Sequence, residues 1–333
     1  MKYLNPLLVL SLFLGSFAFA SGPDPMDQRI FESVSAPHLI QILRDIAGVD
    51  PVTVFGQTYS ITDRYSPASK AKFRNYFVQY FQSLGIPVQV MPYTTQHKVG
   101  EQEGHNVEAV LAGQSKDSVV IIVHYDSIGP SGHESGNPGV DDDMTGMSVS
   151  LETARILSQY KGKLKNTVRF VAADYEEMSN PGLEGARQYA KYIQALSIKN
   201  NFKILSAIDN EQSGWNCAHD GMCDTGRGAD VYVDVFSCGD NYRFDSLGDE
   251  METLAAQLST LKAKRDCMGA NSDHYAMWEI GVPAIVYSED NPFANNHFDA
   301  EGGDTFDKID QDYFFKIAQI GVTYAAKVVG INP

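Results

Sequence analysis

Positive charge is scarce in this chain, cysteine and tryptophan are few, and no long apolar run occurs after the first twenty residues. Lys plus Arg number 26 against 42 Asp plus Glu, a formal net charge of −16 over 333 residues. Proteins that bind nucleic acid gather cations to displace counterions from phosphate. With the opposite balance and no Lys/Arg run, DNA and RNA are not expected partners. Repeats, low-complexity tracts and a Pro/Gly/Ser-rich linker are also missing. Hydrophobic residues make up 43% of the chain, which excludes a disordered polymer, a coiled coil or a collagen-like array.

The four cysteines are Cys217, Cys223, Cys238 and Cys267. They contain no C-x-x-C pair, which argues against a zinc–thiolate site. An even count in an exported protein reads as two disulfides with three possible pairings. The pairing taken is Cys217–Cys223 around a small loop and Cys238–Cys267 around a longer one.

Export is expected from the N-terminus. Lys2 precedes an apolar stretch from Leu4 that ends in Ala18-Phe19-Ala20. This is a charged start, an apolar middle and an A-x-A cleavage site. The stretch is short for a membrane span and contains Pro6 and Gly15. Residues 1–20 are therefore expected to be a cleaved signal peptide, with no stable membrane anchor and a secreted or periplasmic product. Residues 21–36 read as an irregular arm and 37–333 as one catalytic-size domain.

Within that domain, helical spacing marks 38–47, 66–84, 145–160, 183–196, 250–262, 273–280 and 310–329. Strand-like runs occupy 87–92, 106–112, 118–123, 167–173, 203–208, 230–236 and 282–287. Within the run 118–123, Val119 to Val123 are continuously apolar and β-branched, as suits a strand buried on both faces. Alternation of the two kinds argues for an α/β sheet covered on both faces.

Ligands of open α/β sheets bind beyond the carboxyl ends of the strands. Here those ends are polar. His124 and Asp126 follow the strand 118–123. Asp141, Asp142 and Asp143 stand between a glycine-rich loop and a helix. Glu176 and Glu177 follow 167–173, Asp209 follows 203–208, and His297 stands in a loop near the end. Each feature alone reads as a solvated or helix-capping charge. Together they form a rim whose carboxylates repel one another unless a divalent cation neutralises them. Imidazoles mixed with carboxylates suit zinc first, and five ligand positions suffice for a two-metal centre.

The ordered set HYDS from His124, PGVDDDMTG around Asp141, YEE at Glu176–Glu177, AID at Asp209, SDHYAMWEIGVPAI from Ser272, and His297 ahead of DTFDKID resembles the M28 zinc peptidases. That family holds secreted aminopeptidases and their carboxypeptidase relatives. The resemblance runs from about Val107 to the last helix. It implies a single α/β/α domain of zinc-peptidase architecture around a mostly parallel mixed sheet. It implies two zinc ions per chain. Asp141, Glu177 and His297 would hold one, and Asp141, His124 and Asp209 the other. Glu176 would be the general base and Asp126 would orient the His124 ring. A cis peptide between Asp141 and Asp142 is implied as well. Tyr275 and His274 fall in a segment the family uses near substrate.

Two departures stand out. The loop from His297 to Asp304-Thr305 is longer than the family's. Asn210-Glu211-Gln212 follows Asp209 where the family has an apolar residue, so substrate preference cannot be carried over. The expected function is a secreted metallo-aminopeptidase acting on peptide or protein N-termini. An acid-rich rim suits a substrate ammonium, whereas a carboxypeptidase needs an Arg near the site that the sequence does not clearly place. A glutaminyl cyclase-like transferase works with one zinc and typically lacks the first His. An inactive metal-stabilised binding protein has no use for Glu176. A two-metal phosphoesterase suits the ligand types but not the motif order.

Overall fold

The computed structural model describes residues 22–97, 100–129, 137–177, 182–223, 232–295 and 303–333. The expected signal peptide lies outside them. Helix α1 (Pro25–Ser33) begins where Asp24 accepts the Met26 amide at 2.7 Å. Its span was expected to be irregular. One buried aliphatic, Ile30, and an Asp27–Lys327 ion pair at 2.7 Å tie it down. So sparse an apolar pattern gives little helical signal. Helix α2 (Ala36–Ile46), capped by Ser35, buries Leu39, Ile42, Leu43 and Ile46 at the expected spacing. A small hairpin of β1 (Val52–Val54) and β2 (Gln57–Tyr59), not foreseen, leads to α3 (Pro67–Ser83). Ser66 caps α3 and Pro67 starts it, as expected. Phe73, Phe77 and Phe81 recur every four residues on its buried face, and Lys70 precedes them on the same face, only 1% exposed.

Strands β3 (Val88–His97) and β4 (Gly100–Leu111) form an antiparallel hairpin longer than the apolar runs suggested. Then come β5 (Ser115–His124), α4 (Gly146–Ser158), β6 (Asn166–Ala173), α5 (Glu184–Asn200) and β7 (Ile204–Asn210). A short α6 (Cys217–Asp220), β8 (Tyr232–Gly239), β9 (Tyr242–Arg243), α7 (Asp245–Leu258) and β10 (Lys262–Cys267) follow. The chain closes with α8 (His274–Glu279), β11 (Ala284–Glu289) and α9 (Gln311–Val329). The polar edge strand β10 carried no period-2 apolar pattern, which is why it was not foreseen.

One mixed sheet runs in the order β10-β8-β11-β7-β5-β6-β4-β3. Its centre, β11-β7-β5-β6, is parallel, and β4 and β8 flank it antiparallel. One face packs its core against α1, α2, α3, α4, α7 and α9. The other face packs under α5 and α8. The expected α/β/α architecture is the one observed. The four parallel strands all end on one edge of the sheet, and every candidate residue now described lies there. Both disulfides, Cys217–Cys223 and Cys238–Cys267, pair as expected. Among the described residues no helix is long and apolar enough to cross a membrane.

Candidate active site

His124 ends β5 and is 1% exposed. Its Nδ1 lies 3.2 Å from the Asp126 carbonyl oxygen and 3.7 Å from that residue's carboxylate. A carbonyl only accepts, so Nδ1 carries the proton and Nε2 faces the opposite way. Nε2 is 2.9 Å from Asp142 Oδ1 and 3.4 Å from Glu211 Oε1. Burial lowers the imidazole pKa, but Glu211, Asp126 and Asp142 outweigh it and hold it well above the usual histidine range.

The turn before α4 decides which aspartate meets His124. Gly139 sits at φ 55, in the left-handed region. Fully buried Arg64 grips this stretch, donating Nε to the Tyr125 carbonyl at 2.8 Å and Nη2 to the Gly139 carbonyl at 2.9 Å. Asp304 accepts the amides of Asp141, at 2.8 and 2.9 Å, and of Asp142, at 2.8 Å. The Asp141 carboxylate then turns away from His124. It accepts the Gly214 amide at 2.7 Å and the Asn295 side-chain amide at 2.8 Å. The expectation that Asp141 supplies the carboxylate facing His124 is corrected to Asp142. The cis peptide likewise stands at Asp142–Asp143, one bond later than expected.

Asp209 needs the same correction. Its Oδ2 accepts Ser272 Oγ at 2.7 Å and the His274 amide at 2.9 Å, so it serves the turn into α8. Glu211, two residues on, reaches His124 instead. Burial first, then neighbouring acids, push its carboxyl up to about 7. Alternation along a strand places residues two apart on one side, so the sequence pattern admits Asp209 and Glu211 alike and does not choose between them.

Glu176 and Glu177 follow β6 on a turn begun by Tyr175 at φ 59. Their amides donate to the two oxygens of buried Asp126, at 2.9 and 3.2 Å. Asp126 therefore joins the Glu176–Glu177 turn to the His124 loop, in addition to its expected place beside the imidazole. Burial, first of all, raises both glutamate carboxyls well above their usual range. His297 lies outside the described residues.

His124, Asp142, Glu176, Glu177 and Glu211 line one end of a cavity of about 330 Å³. Phe236, Met268, Pro292 and Phe293 form its apolar wall, while Gln212, Asn271, Ser288 and Asn295 complete the lining. Tyr275 and His274, expected near substrate, are not part of this lining. The His274 ring meets Trp278 edge-on at 4.5 Å, and Tyr275 packs on Tyr242 and Trp278. α8 packs these two side chains into an aromatic cluster around Trp278.

A divalent cation fits the donor set. Ligand atoms of His124, Asp143 and Glu211 all lie within 4.8 Å of one another, and buried Asp143 Oδ2 has no hydrogen-bond partner among the described residues. So many buried acids around one imidazole repel each other unless a cation sits among them.

A family model described as peptidase family M28 matches residues 106–325, about two-thirds of the chain. The chain belongs to peptidase family M28. Aminopeptidase YwaD of Bacillus subtilis is 25% identical to it over 199 residues, covering 60% of this M28 chain and 36% of that protein. A probable zinc metalloprotease of Pyrenophora tritici-repentis is 36% identical over 103 residues, 30% of this chain and 22% of that one. The chain thus spans between about a fifth and a third of these two curated relatives. Among solved structures, the LapA aminopeptidase of Legionella pneumophila superposes with a TM-score of 0.68 at 17% identity, covering 92% of this chain and 75% of that one. The glutaminyl cyclase of Porphyromonas gingivalis superposes with a TM-score of 0.67 at 17% identity, covering 88% and 98%. At such identities the two structures speak for the fold.

Proposed function

We propose that this M28 protein is an exported, two-zinc aminopeptidase that releases residues from peptide N-termini. The observation that carries the reading is the meeting of His124 Nε2 with Asp142 and Glu211 at the end of a cavity that also holds Glu176 and Glu177. Asp142, His124 and Glu211 would hold one zinc. Asp142 and Glu177, with His297, would hold the other. Bound zinc supplies Lewis-acid polarisation of the scissile carbonyl and an acidified water.

The chain's own residues supply the rest. Glu176 takes a proton from the attacking water and returns it to the leaving amine. Asp126 fixes the amides of Glu176 and Glu177, so base and ligand keep one relative placement. No Lys or Arg is present in the described lining, so a substrate carboxylate finds no bidentate partner there. A substrate ammonium instead finds an acidic rim, and its side chain finds Phe236, Met268 and Phe293. The two disulfides accord with work outside the cytoplasm.

The test is a panel of aminoacyl chromogenic substrates, N-acetylated peptides and an N-terminal glutaminyl peptide, each with and without chelator. Chelator-sensitive release that needs a free amine supports the reading. Cyclisation of the glutaminyl peptide without hydrolysis supports the transferase alternative, and C-terminal trimming of acetylated peptides supports the carboxypeptidase one.

A further inference from the structure

Helix α3 buries three phenylalanines and one lysine on a single face, and the lysine is the odd member. Burying an ammonium is costly unless it is paired, and an apolar side chain would fill the same stripe without that penalty. Lys70 Nζ bonds Asp174 Oδ1 at 2.8 Å, with both side chains out of contact with solvent. It also stands 3.4 Å from the centroid of the Tyr175 ring. Tyr175 is the residue at φ 59, a left-handed conformation that an aromatic side chain rarely adopts. It must be held by its surroundings. Lys70 holds it from both sides, by a cation over the ring and through Asp174, whose Oδ1 also accepts the Tyr175 amide at 3.0 Å. Asp174 Oδ2 accepts the His105 amide at 3.0 Å, and Tyr93 donates its hydroxyl to the Asp174 carbonyl at 2.7 Å. The next two residues are Glu176 and Glu177.

We infer that Lys70, which lies outside the segment matched by the family model, is the positioning residue of the Glu176–Glu177 turn. It sets the base and the neighbouring acid together by locking Asp174 and Tyr175 beneath them. The inference rests on the roles proposed above for those two glutamates.

The test uses the full-length protein, its zinc affinity by chelator competition, its melting temperature, and kcat and KM on the best chromogenic substrate. Lys70→Met alone leaves the buried Asp174 carboxylate with its amide donors but without its cation, so loss of stability is expected along with loss of function. Lys70→Met combined with Asp174→Asn removes both charges. That double variant keeps one acceptor oxygen at position 174 and should regain part of the wild-type melting temperature. Its kcat should stay down by about ten-fold or more at near-constant KM, and it should hold zinc about ten-fold less tightly. If kcat and zinc affinity return together with the melting temperature, Lys70 is only a charge partner and the inference fails. Should the double variant not fold, Tyr93→Phe decides. It removes one hydroxyl from the same turn and should lower kcat by about five-fold, the equivalent of one neutral hydrogen bond. Unchanged kcat and zinc affinity there overturn the inference. If the wild type cleaves no peptide, the aminopeptidase reading fails by itself, and zinc affinity across the variants still judges Lys70.

Discussion

Two sets of buried acids stand side by side at the carboxyl edge of the sheet, and they do different work. Asp126, Asp141, Asp209 and Asp304 each accept backbone amides: those of Glu176 and Glu177, of Gly214, of His274, and of Asp141 and Asp142. Asp142 and Glu211 meet side chains, the His124 imidazole together with Gln212 and Ser272 respectively. A carboxylate bonded to amides is fixed and partly neutralised, so it builds a turn. One that faces an imidazole and other acids across a cavity is suited to a cation. Asp126 and Asp209 also touch His124 and Ser272, so what separates the two sets is the backbone amides that the first accepts.

The sharpest break between them is expected from Glu176→Gln. It keeps the size and hydrogen bonding of the side chain but removes the base. Activity should fall roughly 10²–10⁴-fold with zinc retained, read from kcat and metal content together. Loss of the metal instead would make Glu176 a ligand.

Next in size, Asp142→Asn should weaken zinc binding by about 100-fold, at the upper end of what disturbing a metal site costs. Asp141→Asn should leave zinc affinity within a few-fold. Its effect belongs to stability, about 1–3 kcal/mol for disturbing a buried acceptor of the Gly214 amide. Chelator competition and thermal melts on the pair separate the two jobs.

A smaller effect follows from pH. Burial raises the carboxyls of Asp143, Glu176 and Glu177, and pushes Glu211 up to about 7. A folded-state pKa above the unfolded one stabilises below the unfolded value, and that stabilisation is lost as pH rises through the folded value. The ion-free protein therefore loses this contribution between about pH 4.5 and 7, where Glu211 ionises. Zinc replaces the lost protons, so the rise in melting temperature on adding zinc should be larger at pH 8 than at pH 5. An equal rise at both would show that these acids do not face the ion.

Much of the fold was legible in the sequence. The run 118–123, apolar from Val119 on, is a central strand, the stripe of Phe73, Phe77 and Phe81 is a buried helix face, and the strand ends do carry the acids. The sequence placed the candidate site at this edge of the sheet, and His124, Glu176 and Glu177 do line the cavity there. The choice among Asp141, Asp142 and Asp143, or between Asp209 and Glu211, was not legible. Those choices depend on donors far along the chain, such as Gly214, Asn295 and Ser272, and on a left-handed Gly139. The apolar wall of the cavity was out of reach for the same reason, since Phe236, Met268 and Phe293 come from three separate segments. Nothing in the sequence singled out Lys70, and only its contact with Asp174 and Tyr175 gives it a purpose.

The most direct measurement is anomalous diffraction at the zinc edge from crystals of the zinc-loaded protein. The account predicts two peaks at the cavity end, with Asp142 touching both, His124 and Glu211 touching one, and Glu177 touching the other. Asp141 and Asp209 should remain on their amide donors. A zinc ion ligated by Asp141 or Asp209 would contradict the division between turn-building and ion-binding acids.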